Sequence, residues 1–377
     1  MNPARSTSSR HVAIDLARVL AIWFMIQGHT LDVLLVPAAR EGFVFNKWLF
    51  LRGLTAPTFF LLSGMSFTLA SMRRWEFYLA PTATFFRRMG RFVFFILLGY
   101  LMHLPARSWR DFRGLNEAGW QSWFQVDVLQ CIGLTLACLQ LLILLTRTPA
   151  RFAKFAFATA AAVVLFTPLL WRAGAGQWVS PPIAAYLSGQ TGSLFPLFPW
   201  AGYVLLGAAA GYLISGRLLN AGVLPVREMA AGGALLVVTG WLFDRLPLNI
   251  YKDANYWLTS PNLFLLRVGC VALILAGLGW VAQRVALPKT PIRSLAQESL
   301  TIYFVHICIL YGSLWNSGLR QRIGETLTLG PTLAWIALLL VSMTALGLGW
   351  NWFKQAEPRR IHFVRAALAL AVVYSLS

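Results

Sequence analysis

The run from Ala13 to Val36, AIDLARVLAIWFMIQGHTLDVLLV, constrains this chain more than any other stretch. It is long enough to cross a bilayer, which takes about 20 mostly apolar residues. It also holds Asp15, Arg18, His29 and Asp32. On a helix with Asp15 set at zero, Arg18 falls at ~300°, His29 at ~320° and Asp32 at ~260°. All four lie on one face, shared with Ile22 and Met25. The opposite side carries Leu16, Leu20, Trp23, Leu31 and Leu34, with Gln27 as its polar exception. A charged side chain at mid-membrane costs at least about 2.5–3.5 kcal/mol. A helix with several on one stripe must turn that stripe toward protein or a wet cavity.

Such runs recur along all 377 residues, at roughly 13–36, 48–70, 88–105, 124–146, 152–171, 194–215, 229–246, 261–285, 298–316, 330–351 and 361–376. Only 12% of residues are charged, against about 25% in a soluble protein. The fold class is therefore all-α: a polytopic integral membrane bundle of about eleven (10–12) transmembrane helices, forming one unit over 1–377. The net charge of +19 does not mark a nucleic-acid binder, because no basic soluble module is present. It follows topology instead. With the N-terminus in the cytoplasm, 19 Lys and Arg fall in cytoplasmic segments and 11 outside, as the positive-inside rule requires. Cys131, Cys138, Cys270 and Cys308 all sit in apolar runs, with neither disulfide-framework nor zinc spacing. The first run is too long and too polar for a cleaved signal peptide.

Four groups of residues can carry chemistry. Arg18 and His29 lie about 16 Å apart along one helix face. That spacing suits a long ligand, with Arg18 on an anionic part and His29 at a reactive end. Histidine is suited to take a proton near neutral pH, and Asp32, on the same face, can orient its ring. An interfacial Asp15–Arg18 pair with a hydrogen-bonded core His29 fits the spacing equally well. Arg87, Arg88 and Arg91, in FFRRMGRF, form a cluster of the kind that grips phosphates; it also reads as a topology signal facing anionic lipid headgroups. Asp127 and Gln130, three apart in VDVLQ, are a polar pair at a helix start, a substrate-side pair or simply a cap. Tyr303 and His306 are neighbours on an otherwise apolar helix, as substrate-binding or packing groups. His103 can reach the cavity of His29, and Arg267 needs an anion or carbonyl partner. No metal motif, phosphate loop or serine elbow is present.

These stretches resemble membrane-bound acyltransferases. RHVAIDLARVLAIWFMIQGH is similar to the first span of the acyltransferase type 3 family, which carries Arg, ten residues, then His. It also resembles that of the catalytic-domain family of heparan-alpha-glucosaminide N-acetyltransferase and its bacterial relatives, with Val19 where Gly is usual. TAPTFFLLSGMSFTLA (55–70) and ESLTIYFVHICILYG (298–312) resemble both groups. VDVLQCIGLTL (126–136), with Cys131 where Arg often stands, and LFPLFPWAGYVLLGAAAGYL (194–213) resemble the second. The resemblance implies an acyl group, commonly acetyl, moved from acetyl-CoA or another acyl-CoA to a hydroxyl or amine of a glycan or similar acceptor. It implies His29 as the catalytic residue, with Asp32 placed by the shared helix face to orient it, and Arg18, Arg87, Arg88 and Arg91 on the cofactor side. Asp127, Gln130, Tyr303 and His306 fall on the substrate side. It places the chain in a bacterial inner membrane, in contact with lipid, and leaves a homodimer open. The alternative reading is a transporter or flippase with a polar intramembrane cavity.

Overall fold

In the computed structural model, residues 11–106, 108–246, 251, 255–361 and 364 are described. They form α1 (Val12–Leu34), α2 (Phe43–Arg52), α3 (Thr55–Met72), α4 (Ala83–Met102), α5 (Trp109–Arg113), α6 (Glu117–Phe124), α7 (Val128–Thr146), α8 (Pro149–Arg172) and α9 (Pro181–Leu187). Then follow α10 (Leu197–Ala221), α11 (Val226–Arg245), α12 (Tyr256–Thr259), α13 (Pro261–Arg284), α14 (Lys289–Gln297), α15 (Ser299–Tyr311), α16 (Leu319–Arg322) and α17 (Leu329–Ala356). The all-α membrane bundle is as the sequence predicts. Among the described residues, eight helical segments are long and apolar enough to span a membrane, α2 and α3 counting as one. Local signals set many boundaries. Thr148 caps α8 and Ser260 caps α13, each followed by Pro at the first helical position, where its missing N–H costs nothing.

The differences from the predicted spans have local causes. The run 48–70 is two helices, because the chain turns at Gly53 and Leu54 between α2 and α3. The run 298–316 stops at Tyr311, where Gly312 takes φ of 90° and ends the 13-residue α15. α4 is helical for 20 residues but carries three arginines in its first half. The connection 106–123 contains α5 and α6. Most of the run 361–376, with His362, lies outside the described residues.

The bundle has two main apolar cores. One joins α3, α4, α7, α8, α10 and α13; the other joins α14, α15 and α17. α1 belongs to both: Ala13, Ile14 and Ala17 pack in the first, and Val19, Ile22, Ile26, Val33 and Leu34 in the second. Only Trp23 and Phe24 of this helix are exposed. Its polar stripe thus lies at the seam between two sub-bundles, as its desolvation cost demands. Within the first core α3 and α10 touch backbone to backbone. A Cβ at Gly64 would strike Val204 of α10, and one at Gly207 would strike the Leu61 carbonyl of α3. Gly211 completes a small-xxx-small pattern on α10, the usual means of close helix approach in a membrane.

Candidate functional site

At the end of the bundle where α1 finishes, side chains from four helices meet. His29 of α1 is half-buried, and His306 of α15 is fully buried. Their Nδ1 and Nε2 atoms are 3.1 Å apart. The two ring planes differ by 10°, with centroids 5.3 Å apart. Rings so nearly parallel, with centroids that far apart for such a short N···N contact, lie edge to edge in almost one plane. Nδ1 of His306 donates to the carbonyl of Ile302, 2.8 Å away and one turn back on the same helix. Tyr311 sets its ring edge-on to His29, centroids 5.8 Å apart.

The next link comes from α7. Asp127 is its N-cap, accepting from the Val128 N–H at 2.6 Å, and Gln130 closes a capping box by accepting from the Asp127 N–H at 3.2 Å. The second carboxylate oxygen of Asp127 accepts from the Tyr303 hydroxyl at 3.0 Å. Tyr303 is buried and lies edge-on to His306. His103, just past the end of α4, brings Nε2 to 3.6 Å from the same carboxylate, while its Nδ1 donates to the Gly99 carbonyl at 3.0 Å. The chain His103–Asp127–Tyr303 therefore runs across the seam between the two cores toward the His306–His29 pair. Nearby, α6 and α9 both reach Tyr100 of α4: the Trp123 indole donates to its carbonyl and the Tyr186 hydroxyl lies 3.2 Å from its own. Burial, reinforced by Tyr100, pushes the Tyr186 phenol well above its ordinary value, so it stays protonated.

Of the predicted residues, His29, Asp127, Tyr303 and His306 are brought together. Gln130 is adjacent, but it is fully buried and its amide is taken up by the cap and the Gln125 carbonyl. Asp32 does not orient His29: Arg52 of α2 holds its carboxylate in a two-pronged ion pair. The imidazole takes its partner from another helix instead. Arg52 reaches Asp32 by crossing α1 at Gly28, where a Cβ would lie 2.6 Å from its Nε. Sequence reasoning missed Arg52 and Tyr311; the small residue directly before His29 was the one signal of a close crossing.

At the other end of α1, Arg18 pairs with Asp15 at 3.6 Å and bonds Ser66 and the Leu62 carbonyl of α3. Arg88 is packed against aromatic rings, and its buried Nη1 has no hydrogen-bond partner among the described residues. Its guanidinium lies 3.9 Å from the Phe67 ring centroid and 4.5 Å from that of Tyr78, and it donates to the Phe67 carbonyl. Arg87 and Arg91 are exposed on the same helix. Arg267 donates to the Trp257 carbonyl at 3.4 Å. Among the described residues, no group of three or more His, Cys, Asp or Glu side chains is placed to hold a metal ion.

Two comparisons with known proteins complete the picture. The sequence model of the family described as heparan-alpha-glucosaminide N-acetyltransferase, catalytic, matches residues 10–251, more than half of the chain and all of the site except α15. No curated protein matches the sequence.

Proposed function

Because the chain belongs to the heparan-alpha-glucosaminide N-acetyltransferase catalytic family, we propose that it transfers an acetyl group from acetyl-CoA to an amine or hydroxyl of a sugar, with His29 taking the proton of the attacking group. Family membership and its spanning helices make it a membrane acetyltransferase. One observation carries the finer reading: polar residues from three other stretches of sequence lead to a half-buried imidazole whose Nε2 makes no hydrogen bond among the described residues. A structural histidine in such a place would be expected to use both nitrogens.

The donor fits the rest of α1. Coenzyme A is long, anionic at one end and reactive at the other. Arg18 and His29 are about 16 Å apart along the helix. Arg87 and Arg91, exposed at the start of α4, offer forked cations to its phosphates. Arg18 and Arg88 are held by protein partners on α3. With the Arg18 end in the cytoplasm, donor and acceptor approach His29 from opposite sides of a bacterial inner membrane. The acceptor nitrogen or oxygen attacks the thioester carbonyl carbon while His29 Nε2 takes its proton. Collapse of the tetrahedral adduct breaks the C–S bond, and the proton passes to the thiolate.

The test is transfer of label from [14C]acetyl-CoA to glucosamine by purified protein in detergent. A positioned general base contributes about 10²–10⁴-fold, so His29→Ala should lose about 10³-fold while still folding. A variant that transfers label at the normal rate sinks the proposal.

A further inference from the structure

A neutral imidazole has one N–H and one lone pair, and the bond made by one nitrogen fixes the state of the other. In this site that logic runs in one direction. The Ile302 carbonyl can only accept, so Nδ1 of His306, 2.8 Å from it, carries the proton. The lone pair of the neutral ring is then on Nε2, which faces Nδ1 of His29 at 3.1 Å. Two lone pairs cannot share that contact, so Nδ1 of His29 must donate. Ring lone pairs lie in the ring plane, and the near-coplanar rings point this one along the N–H. The remaining lone pair of His29 is thereby driven onto Nε2.

We infer that His306 is a positioning residue for acyl transfer: anchored by the Ile302 carbonyl, it holds His29 in the Nδ1–H tautomer and keeps His29 Nε2 bare for the acceptor's proton. This rests on the reading of His29 as proton acceptor. It moves His306 from the substrate side, where its sequence position placed it, to a supporting role behind the reacting nitrogen. As the bond from acceptor to carbonyl carbon forms, the acceptor's proton moves to His29 Nε2. The bond from His29 Nδ1 to His306 then becomes charge-assisted, and such bonds are about twice as strong as neutral ones. When the C–S bond breaks, the proton leaves Nε2 for the thiolate sulfur, and both rings return to their starting states.

Two substitutions separate the halves of the device. In His306→Asn the amide nitrogen overlies Nδ1, so the Ile302 bond is kept and the acceptor toward His29 is lost. In His306→Gln the amide reaches the place of Nε2, and its oxygen can accept from His29. With acetyl-CoA and glucosamine as probes, His306→Asn should lose about 10²-fold in kcat, with both KM values within about twofold of wild type. His306→Gln should recover to within about tenfold of wild type. The chain has five histidines, so nitrogen NMR on protein labelled with 15N-histidine resolves them, and the His29 signals are those missing in His29→Ala. They should report a protonated Nδ1 in the wild type and in His306→Gln, and a tautomer mixture in His306→Asn.

The inference is overturned by an Nε2–H tautomer of His29 in the wild type, or by undiminished kcat in His306→Asn. A loss confined to KM for glucosamine also overturns it and returns His306 to acceptor binding. Should His306→Asn fail to fold, the wild-type spectrum decides by itself. Should His29→Ala keep its activity, the acetyl-transfer role of His29 fails, yet the tautomer read in the spectrum still tests the geometry.

Discussion

Glu298 and His306 sit on the same stretch of chain, about 12 Å apart along α15, and both are buried: 1% and 0% exposed. Around Glu298 the bonding is closed. Lys354 of α17 forms an ion pair with it, Asn351 donates to it at 2.9 Å and Thr301 at 3.3 Å. The Asn351 oxygen in turn accepts from Ser294 at 3.0 Å and Gln355 at 2.6 Å. Around His306 the chain of bonds stays open at one end, since it stops at His29 Nε2. A closed ionic network ties α14, α15 and α17 together and offers nothing to a ligand. An open chain leaves one reactive atom and surrounds it with groups already committed elsewhere. Burial alone therefore does not mark the site; the unspent valence does.

The largest expected effect tests the closed cluster. Lys354→Met removes the cation and leaves Glu298 buried beside amides and a hydroxyl. Breaking one side of a buried pair costs about 3–5 kcal/mol, so thermal unfolding in detergent should drop by many degrees. Transfer per folded molecule should stay at the wild-type level, because nothing in this network faces His29. Lost turnover in a folded Lys354→Met protein would mean that the two clusters are one machine and would end the contrast.

Tyr303→Phe is the intermediate case, at the join between cores. It deletes the 3.0 Å bond to Asp127 but leaves that carboxylate its helix cap and the nearby His103. A lost hydrogen bond to a charged acceptor costs about 1.5–3 kcal/mol, so unfolding should fall by less than in Lys354→Met. Turnover should fall about tenfold, well short of a lost general base, because Tyr303 steadies the helix that carries His306. A stability loss with unchanged turnover would make the Asp127–Tyr303 link a brace and nothing more.

Much of this arrangement was written locally. The polar stripe on α1 is visible as four residues on one helical face, and its cost dictates that it faces protein. The Asp127–Gln130 and Tyr303–His306 pairs are visible because residues three apart on a helix are neighbours. What sequence could not supply was who crosses to whom. His29 and His306 are 277 positions apart, and no periodicity links them. By sequence Asp32 is the natural orienter of His29, because it is one turn away. The structure gives it to Arg52, the last residue of α2, ahead of the turn at Gly53. Arg88 reads as an open cation until Phe67 of α3 and Tyr78 are folded against it, and aromatic residues in an apolar run give no hint that they will face an arginine.

The smallest effect belongs to an ion pair at the His29 end that resembles Glu298–Lys354 on paper. Arg40 and Glu325 are 3.1 Å apart, with side chains 26% and 41% exposed. They join the segment after α1 to the segment before α17, beside the backbone contacts of Val36 and Leu34 with Leu327. Exposed pairs contribute about 0–1 kcal/mol and are screened by salt. Arg40 also donates to the carbonyls of Leu35 at 2.6 Å and Asp32 at 3.1 Å, so removing the carboxylate leaves its guanidinium bonded. Glu325→Gln should therefore lower stability by under about 1 kcal/mol, and the difference should vanish at about 1 M salt, where screening acts within ~3 Å. The Lys354→Met loss should persist at that salt, since water and ions do not reach a carboxylate 1% exposed. If both losses fade together, Glu298 is wetter than its burial implies, and the distinction between a closed and an open cluster must rest on the histidines alone.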